Sequence, residues 1–151
     1  MTDSIVLEPA PTEITLEGTG MYAVDGTADA QATLNSLMAQ IMAVYSVSDD
    51  EGPLTDMVER FLNQQPHLTV RRHGDTLVAS TNLGRSKRVI LAGHLDTVPV
   101  IDNFPPRLLA PGDPLIREEI AQAHPEEQVI WGRGATDMKA SDAVLLYLAA
   151  A

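Results

Sequence analysis

At 151 residues, with 44% hydrophobic residues and a net charge of −11, the chain is long enough for one domain with a core, which excludes intrinsic disorder. Ten Lys and Arg against 21 Asp and Glu leave no basic stripe to neutralise phosphates, so nucleic acid and anionic membrane are excluded as partners and cations favoured. The lack of cysteine removes disulfides, thiolate nucleophiles and thiolate zinc sites, and with no signal-type or long apolar run the chain is expected to be cytoplasmic.

Residues 1–27 mix Thr, Glu, Gly and Pro without a period and are expected to form an extended or poorly ordered leader with no assigned function. Residues 28–151 are expected to form the folded domain. Of the acidic residues, eleven precede Leu68 against a single base, Arg60, whereas the remainder of the chain is nearly balanced. Acid blocks of this kind are usually solvated surface rather than a substrate funnel.

From Asp29, a candidate N-cap, the residues Leu34, Leu37, Met38, Ile41, Met42 and Tyr45 fall at helical spacing and predict an amphipathic helix whose Met stripe belongs to the core. Ser46 to Glu51 breaks the pattern. A second helix is expected to about Gln65, with Leu54, Met57, Val58, Phe61 and Leu62 inward. Ser48 and Glu51 have capping-box spacing, but Pro53 places the helix start nearer Asp50 to Gly52.

Leu68–Arg72 and Thr76–Thr81 alternate around the His73-Gly74-Asp75 turn and predict a hairpin. Arg88–Leu95 carries the apolar run Val89-Ile90-Leu91-Ala92, expected for a strand buried on both faces at the centre of an α/β sheet. Five prolines argue against regular structure over most of residues 97–115. A short acidic helix is expected around Ile116–Ala123, a strand at Gln128–Trp131, a Gly-rich loop at Gly132–Asp137, and a helix from Ala140 that is still running at Ala151, without a C-cap.

The first chemical candidate is His94-Leu95-Asp96. Side chains two apart on a strand share a face, so His94 and Asp96 would point together from the carboxyl end of a central strand, where open α/β sheets bind ligands. A carboxylate beside an imidazole holds its tautomer, as in metal-bound histidines; the competing reading is a pair that satisfies only itself. The second candidate is Gly132-Arg133-Gly134-Ala135-Thr136-Asp137-Met138-Lys139, in which the glycines allow close backbone approach. Here Asp137, or Ser141, would alternatively be a plain helix N-cap.

Together, Gly93-His94-Leu95-Asp96-Thr97-Val98-Pro99 and Gly132–Lys139 resemble the two metal-site signatures of the M20 metallopeptidases, the family of aminoacylase, acetylornithine deacetylase and succinyl-diaminopimelate desuccinylase. The stretch Val100–Arg107 resembles the desuccinylase branch of actinobacteria. The resemblance implies an α/β fold: the N-terminal portion of a zinc-peptidase-like catalytic domain, with two helices, a hairpin, a central buried strand, a Gly-rich loop and a helix. It implies His94 as a ligand of one of two zinc ions (Co2+ as a substitute), Asp96 as the catalytic residue orienting its imidazole, and Asp137 as the carboxylate bridging both metals. It further implies hydrolysis of a small N-acyl amino acid, N-succinyl-LL-2,6-diaminopimelate in lysine and diaminopimelate biosynthesis, by a homodimeric enzyme. Acetylornithine deacetylase-like and dipeptidase activities share that chemistry.

The family's general base and a further ligand are an adjacent Glu pair downstream of the bridging Asp, and its lid or dimerisation domain is also absent here. Glu118-Glu119 and Glu126-Glu127 precede Asp137 and read as surface acids. The resemblance therefore implies a truncated catalytic domain, inactive alone. His67, His73 and His124 are expected to be exposed, Trp131 to be core, and Arg133 and Lys139 either to hold the loop or the Asp137 carboxylate in place or to pair on the surface. A phosphoacceptor receiver domain would also use an acidic pair, a strand-end Asp and a Lys, which Asp49-Asp50, Asp96 and Lys139 imitate, but Asp49 follows a helix rather than a buried strand.

Overall fold

Both helices expected in the first half form, although Tyr45 falls beyond the end of the first and is 42% exposed. In the computed structural model, which describes Ile5–Val6 and residues 28–151, α1 spans Ala28–Met42 and α2 spans Gly52–Asn63, with Pro53 in its first turn. Pro there lacks only a donor that would have no partner in any case. Glu51 makes no side-chain cap bond, so the capping-box spacing is not used. The side chain of the expected cap Asp29, and the leader apart from Ile5–Val6, lie outside the described residues.

The inward faces of α1 and α2 meet the last helix, α4 (Ala140–Ala150), and the three share one core. Leu37, Ile41, Leu54, Met57 and Phe61 are at most 2% exposed, and Ala143, Leu146 and Tyr147 from α4 are buried, at no more than 5% exposed. Of the Met stripe on α1, Met42 is buried and Met38 is half-buried against the core. Burying such side chains contributes on the order of 2 kcal/mol each.

The predicted hairpin forms from β2 (Thr69–His73) and β3 (Thr76–Ser80), antiparallel with Val70 opposite Ala79 and Arg72 opposite Leu77. Gly74 adopts φ +58° in its two-residue turn, a conformation that favours glycine. Leu68, Val70 and Leu77 pack on the helical core, and Arg72 ties the hairpin to Asp56 and Glu59 of α2.

A second sheet orders β1 (Ile5–Val6), β4 (Arg107–Leu109) and β5 (Val129–Trp131), all antiparallel, so a strand interrupts the Pro-rich region expected to be irregular. Leu109, fully buried, anchors it. The acidic helix α3 is shorter than expected, Glu118–Ala123. Trp131 is half-buried rather than core, with the Arg107 guanidinium 4.4 Å over its ring.

The expectation of a central buried strand at Arg88–Leu95 is overturned. The segment forms no strand, and Val89 and Ile90 are 86% and 88% exposed. An apolar run becomes a two-sided buried strand only when other strands flank it, and among the described residues none offers it a ladder. The architecture is thus mixed α and β, with the site segment held by other means.

Candidate functional site

The turn that follows α1 supplies those means. Val47 forms an isolated parallel bridge with Thr97. Thr97 N donates to Ser46 O at 2.8 Å, and Ser48 N donates to Thr97 O at 3.0 Å. Ser46 Oγ donates to Leu95 O at 2.8 Å, and Ser48 Oγ donates to Asp96 Oδ2 at 2.6 Å. Residues 95–97 are therefore clasped from the Ser46-Val47-Ser48 side. From the other side, His94 N–H points at Met138 Sδ at 3.4 Å, and Gly93 lies so close to α4 that a Cβ would run into Asp142 Oδ1.

His94 and Asp96 point together, as strand geometry led us to expect, although the clasp and not a ladder arranges them. His94 Nδ1 lies 3.0 Å from Asp96 O and 3.2 Å from Asp96 Oδ1. The ring's other nitrogen, Nε2, lies 2.9 Å from Asp137 Oδ1. The structure thus brings all three sequence-derived candidates together, with the imidazole between two carboxylates.

Asp137 reaches this position because its loop is pinned. A Cβ on Gly132 would come within 2.9 Å of Met42 Cε and 3.0 Å of Pro106 Cα, and Gly134 has φ +83°, so glycine is required at both turns. Arg133 N donates to Asn103 O at 2.8 Å. A wide turn over Ala135–Lys139 follows, in which Asp137 is non-helical (φ −135°, ψ 96°) and its peptide bond to Met138 is cis. Helix α4 begins only at Ala140, and no side chain caps it, so Asp137 is not the N-cap. Its carboxylate is 83% exposed and faces a pocket of about 180 Å³ lined by His94, Asp96, Arg133 and Thr136.

The charges follow from these positions. Partial desolvation opposes the imidazolium of His94, but the Asp96 carbonyl and the carboxylates of Asp137 and Asp96 outweigh it and raise the pKa above its ordinary value. Behind the pocket, Lys139 is buried and donates from Nζ to Ile41 O at 3.1 Å and Val44 O at 2.8 Å, which caps the C-terminal end of α1. Burial brings its pKa down to about 8, against the opposing pull of Asp142. Asp142 is pushed up to about 6 by burial, against His94 and Lys139, and its Oδ2 has no hydrogen-bond partner among the described residues. Lys139 therefore neither pairs on the surface nor holds the Asp137 carboxylate.

The remaining residues stay apart. Glu118, Glu119, Glu126 and Glu127 are exposed and outside the pocket, as surface acids should be. His67 and His124 are exposed but engaged, His67 Nε2 with Ala149 O at 2.9 Å and His124 Nδ1 with Glu127 Oε1 at 3.3 Å. His73 is exposed at the end of β2, beside the hairpin turn and not in it. The receiver arrangement fails on geometry: Asp49 and Asp50 are exposed, and Lys139 is committed to α1. Sequence reasoning missed Ser48 and Asp142, since neither has a local signal that distinguishes its distant partner from an ordinary cap or surface acid.

The donor set suits a divalent cation in part. His94 Nε2 and an Asp137 oxygen converge on one pocket, with Asp96 behind the imidazole, which is the hard-to-borderline nitrogen and oxygen set zinc accepts. Among the described residues, no group of three or more His, Cys, Asp or Glu side chains is arranged to hold a metal ion, since Asp96 faces Nδ1 on the far side of the ring from Asp137. No helix among them is long and apolar enough to cross a membrane.

No family model matches the chain. It is 42% identical over 115 residues, 76% of this chain, to a provisionally named succinyl-diaminopimelate desuccinylase, DapE, of Mycobacterium tuberculosis. It is 33% identical over 113 residues, 74% of this chain, to the succinyl-diaminopimelate desuccinylase of Corynebacterium glutamicum. The matched regions are 28% and 26% of those relatives' lengths, so the chain spans about a quarter of them. The chain thus resembles actinobacterial desuccinylases, in agreement with the M20 resemblance of its motifs.

Proposed function

We propose that this chain, similar over three quarters of its length to actinobacterial desuccinylases, carries part of the metal site of a zinc-dependent amide hydrolase acting on N-succinyl-LL-2,6-diaminopimelate. The observation that carries the reading is the His94 imidazole held between Asp96 at Nδ1 and Asp137 at Nε2 on the wall of one pocket. On this reading residues 28–151 are the opening portion of a zinc-peptidase-like domain.

The residues divide the work by position. Asp96 accepts from Nδ1–H, through its carbonyl and its carboxylate, and so leaves the Nε2 lone pair for a cation. Asp137, exposed to the pocket, offers a second donor and the negative charge that two neighbouring dications require between them. A divalent cation bound there would polarise an amide carbonyl and lower the pKa of a water. Gly132 and Gly134 keep the loop close enough for Asp137 to reach His94.

Among the described residues no glutamate lines the pocket to take and return a proton, so on this reading turnover needs a base that these residues do not supply, and the 151-residue chain by itself is expected to be inactive. The test is hydrolysis of N-succinyl-LL-2,6-diaminopimelate, N-acetylornithine and a dipeptide, with Zn2+, by this chain and by a version extended with the rest of a desuccinylase sequence. Selective turnover of the succinyl substrate by the extended protein, lost in His94→Ala, supports the proposal. Preference for either other substrate assigns the site to that activity, and turnover unaffected by His94→Ala refutes it.

A further inference from the structure

Ser48 lies in a turn far from either motif, yet its hydroxyl makes the shortest polar contact of the site. We propose that Ser48 is a positioning residue: its bond to Asp96 Oδ2 fixes the rotation of the carboxylate whose Oδ1 faces His94 Nδ1, and so selects the imidazole tautomer that leaves Nε2 free for a ligand. The inference deepens the metal-site reading and rests on it for its functional meaning.

Three observations carry it. The 2.6 Å separation is that of a charge-assisted O–H···O− bond, roughly twice as strong as a neutral one. Although Ser48 is exposed, its Oγ is delivered to Asp96 by a backbone already fixed through Ser48 N to Thr97 O, Thr97 N to Ser46 O, and Ser46 Oγ to Leu95 O. Little ordering entropy is therefore left for the hydroxyl bond to offset. Finally, the ring is contested. Asp96 competes for its proton with Asp137, and an Asp96 carboxylate free to rotate would lose Oδ1 from Nδ1 and leave only the neutral Asp96 carbonyl there, 3.0 Å away, which tilts the balance toward Nε2–H donating to the charged Asp137. A proton on Nε2 blocks the nitrogen that faces the pocket.

The hydroxyl acts through Asp96 and touches neither substrate nor cation. Its neighbour Ser46 supplies the control, because Ser46 Oγ holds only the main chain of the same segment. The experiment is long-range 15N–1H NMR of 15N-histidine-labelled chain without metal, at a pH where His94 is neutral, with the His94 ring assigned by its loss in His94→Asn. The parent chain is expected to be mostly Nδ1–H. Ser48→Ala is expected to move the population toward Nε2–H by severalfold, while Ser48→Thr, which keeps the hydroxyl, retains the parent tautomer. Ser46→Ala is expected to lower the melting temperature without changing the tautomer. An unchanged ring in Ser48→Ala, or an equal shift in Ser46→Ala, overturns the proposal. Because no metal is present, failure of the metal-site reading leaves this comparison intact.

Discussion

Replacing Ile90 by alanine discriminates sharply between a buried central strand and the exposed segment described here. In a two-sided buried strand, Ile→Ala removes core volume and costs about 2–5 kcal/mol. Ile90 is 88% exposed, so only about an eighth of the 1.5–3 kcal/mol of full burial is at stake, roughly 0.2–0.4 kcal/mol. Phe61, 2% exposed at the centre of the helical core, is the internal reference, with an expected cost of about 3–5 kcal/mol on truncation to alanine. Urea unfolding of the parent, Ile90→Ala and Phe61→Ala chains, followed by far-UV circular dichroism, reads both. The expected result is a midpoint for Ile90→Ala within error of the parent and a large fall for Phe61→Ala. A loss above about 2 kcal/mol in Ile90→Ala refutes the reasoning, since nothing in the exposed arrangement supplies it.

Gly132→Ala is expected to cost about 1–3 kcal/mol, read as a lowered melting temperature, because its Cβ meets the Pro106 backbone, which cannot rotate aside. Lys139→Met leaves the carbonyls of Ile41 and Val44 without their donor and is expected to cost about 1–3 kcal/mol at neutral pH. Between about 8, the folded value for Lys139, and 10.5, its ordinary one, the unfolded chain binds more protons, so Lys139 makes stability rise with pH; denaturation across that window should show the rise in the parent and its loss in Lys139→Met. Asp142 works in the opposite direction: its folded value of about 6 lies above the ordinary 3.8, so the native state binds more protons between them and stability falls as pH rises through that window. Asp142→Asn should flatten that fall in denaturation measured across it, and an unchanged profile would contradict the assignment.

The elements that declare themselves locally were legible. Leu34 to Met42 and Leu54 to Leu62 carry the helical period that buries one face, and Gly74-Asp75 between alternating runs marks the hairpin. Val89 to Leu91 was misread because an apolar run states a preference for burial without naming the strands that would bury it. The His94, Asp96 and Asp137 constellation was legible from its motifs, whereas the clasp was not. Ser48 stands three residues before Glu51 and so imitates a cap, but its partner Asp96 lies 48 residues away, and sequence spacing carries no record of such contacts. Lys139 was ambiguous for a related reason: a lysine beside an acidic motif suggests surface pairing, and only the fold brings the end of α1 to its Nζ.

In the proposed reading, His94 and Asp137 form one cation site backed by Asp96. Calorimetric titration of the chain with Zn2+ tests it most directly, in the parent and in His94→Ala, Asp137→Asn and Asp96→Asn. Saturable binding is predicted for the parent, abolished by His94→Ala, weakened by Asp137→Asn, and weakened about 10- to 100-fold by Asp96→Asn, the range for residues that orient a metal-bound histidine. Binding of equal strength in the parent and in His94→Ala, or no saturable binding by the parent, would contradict it.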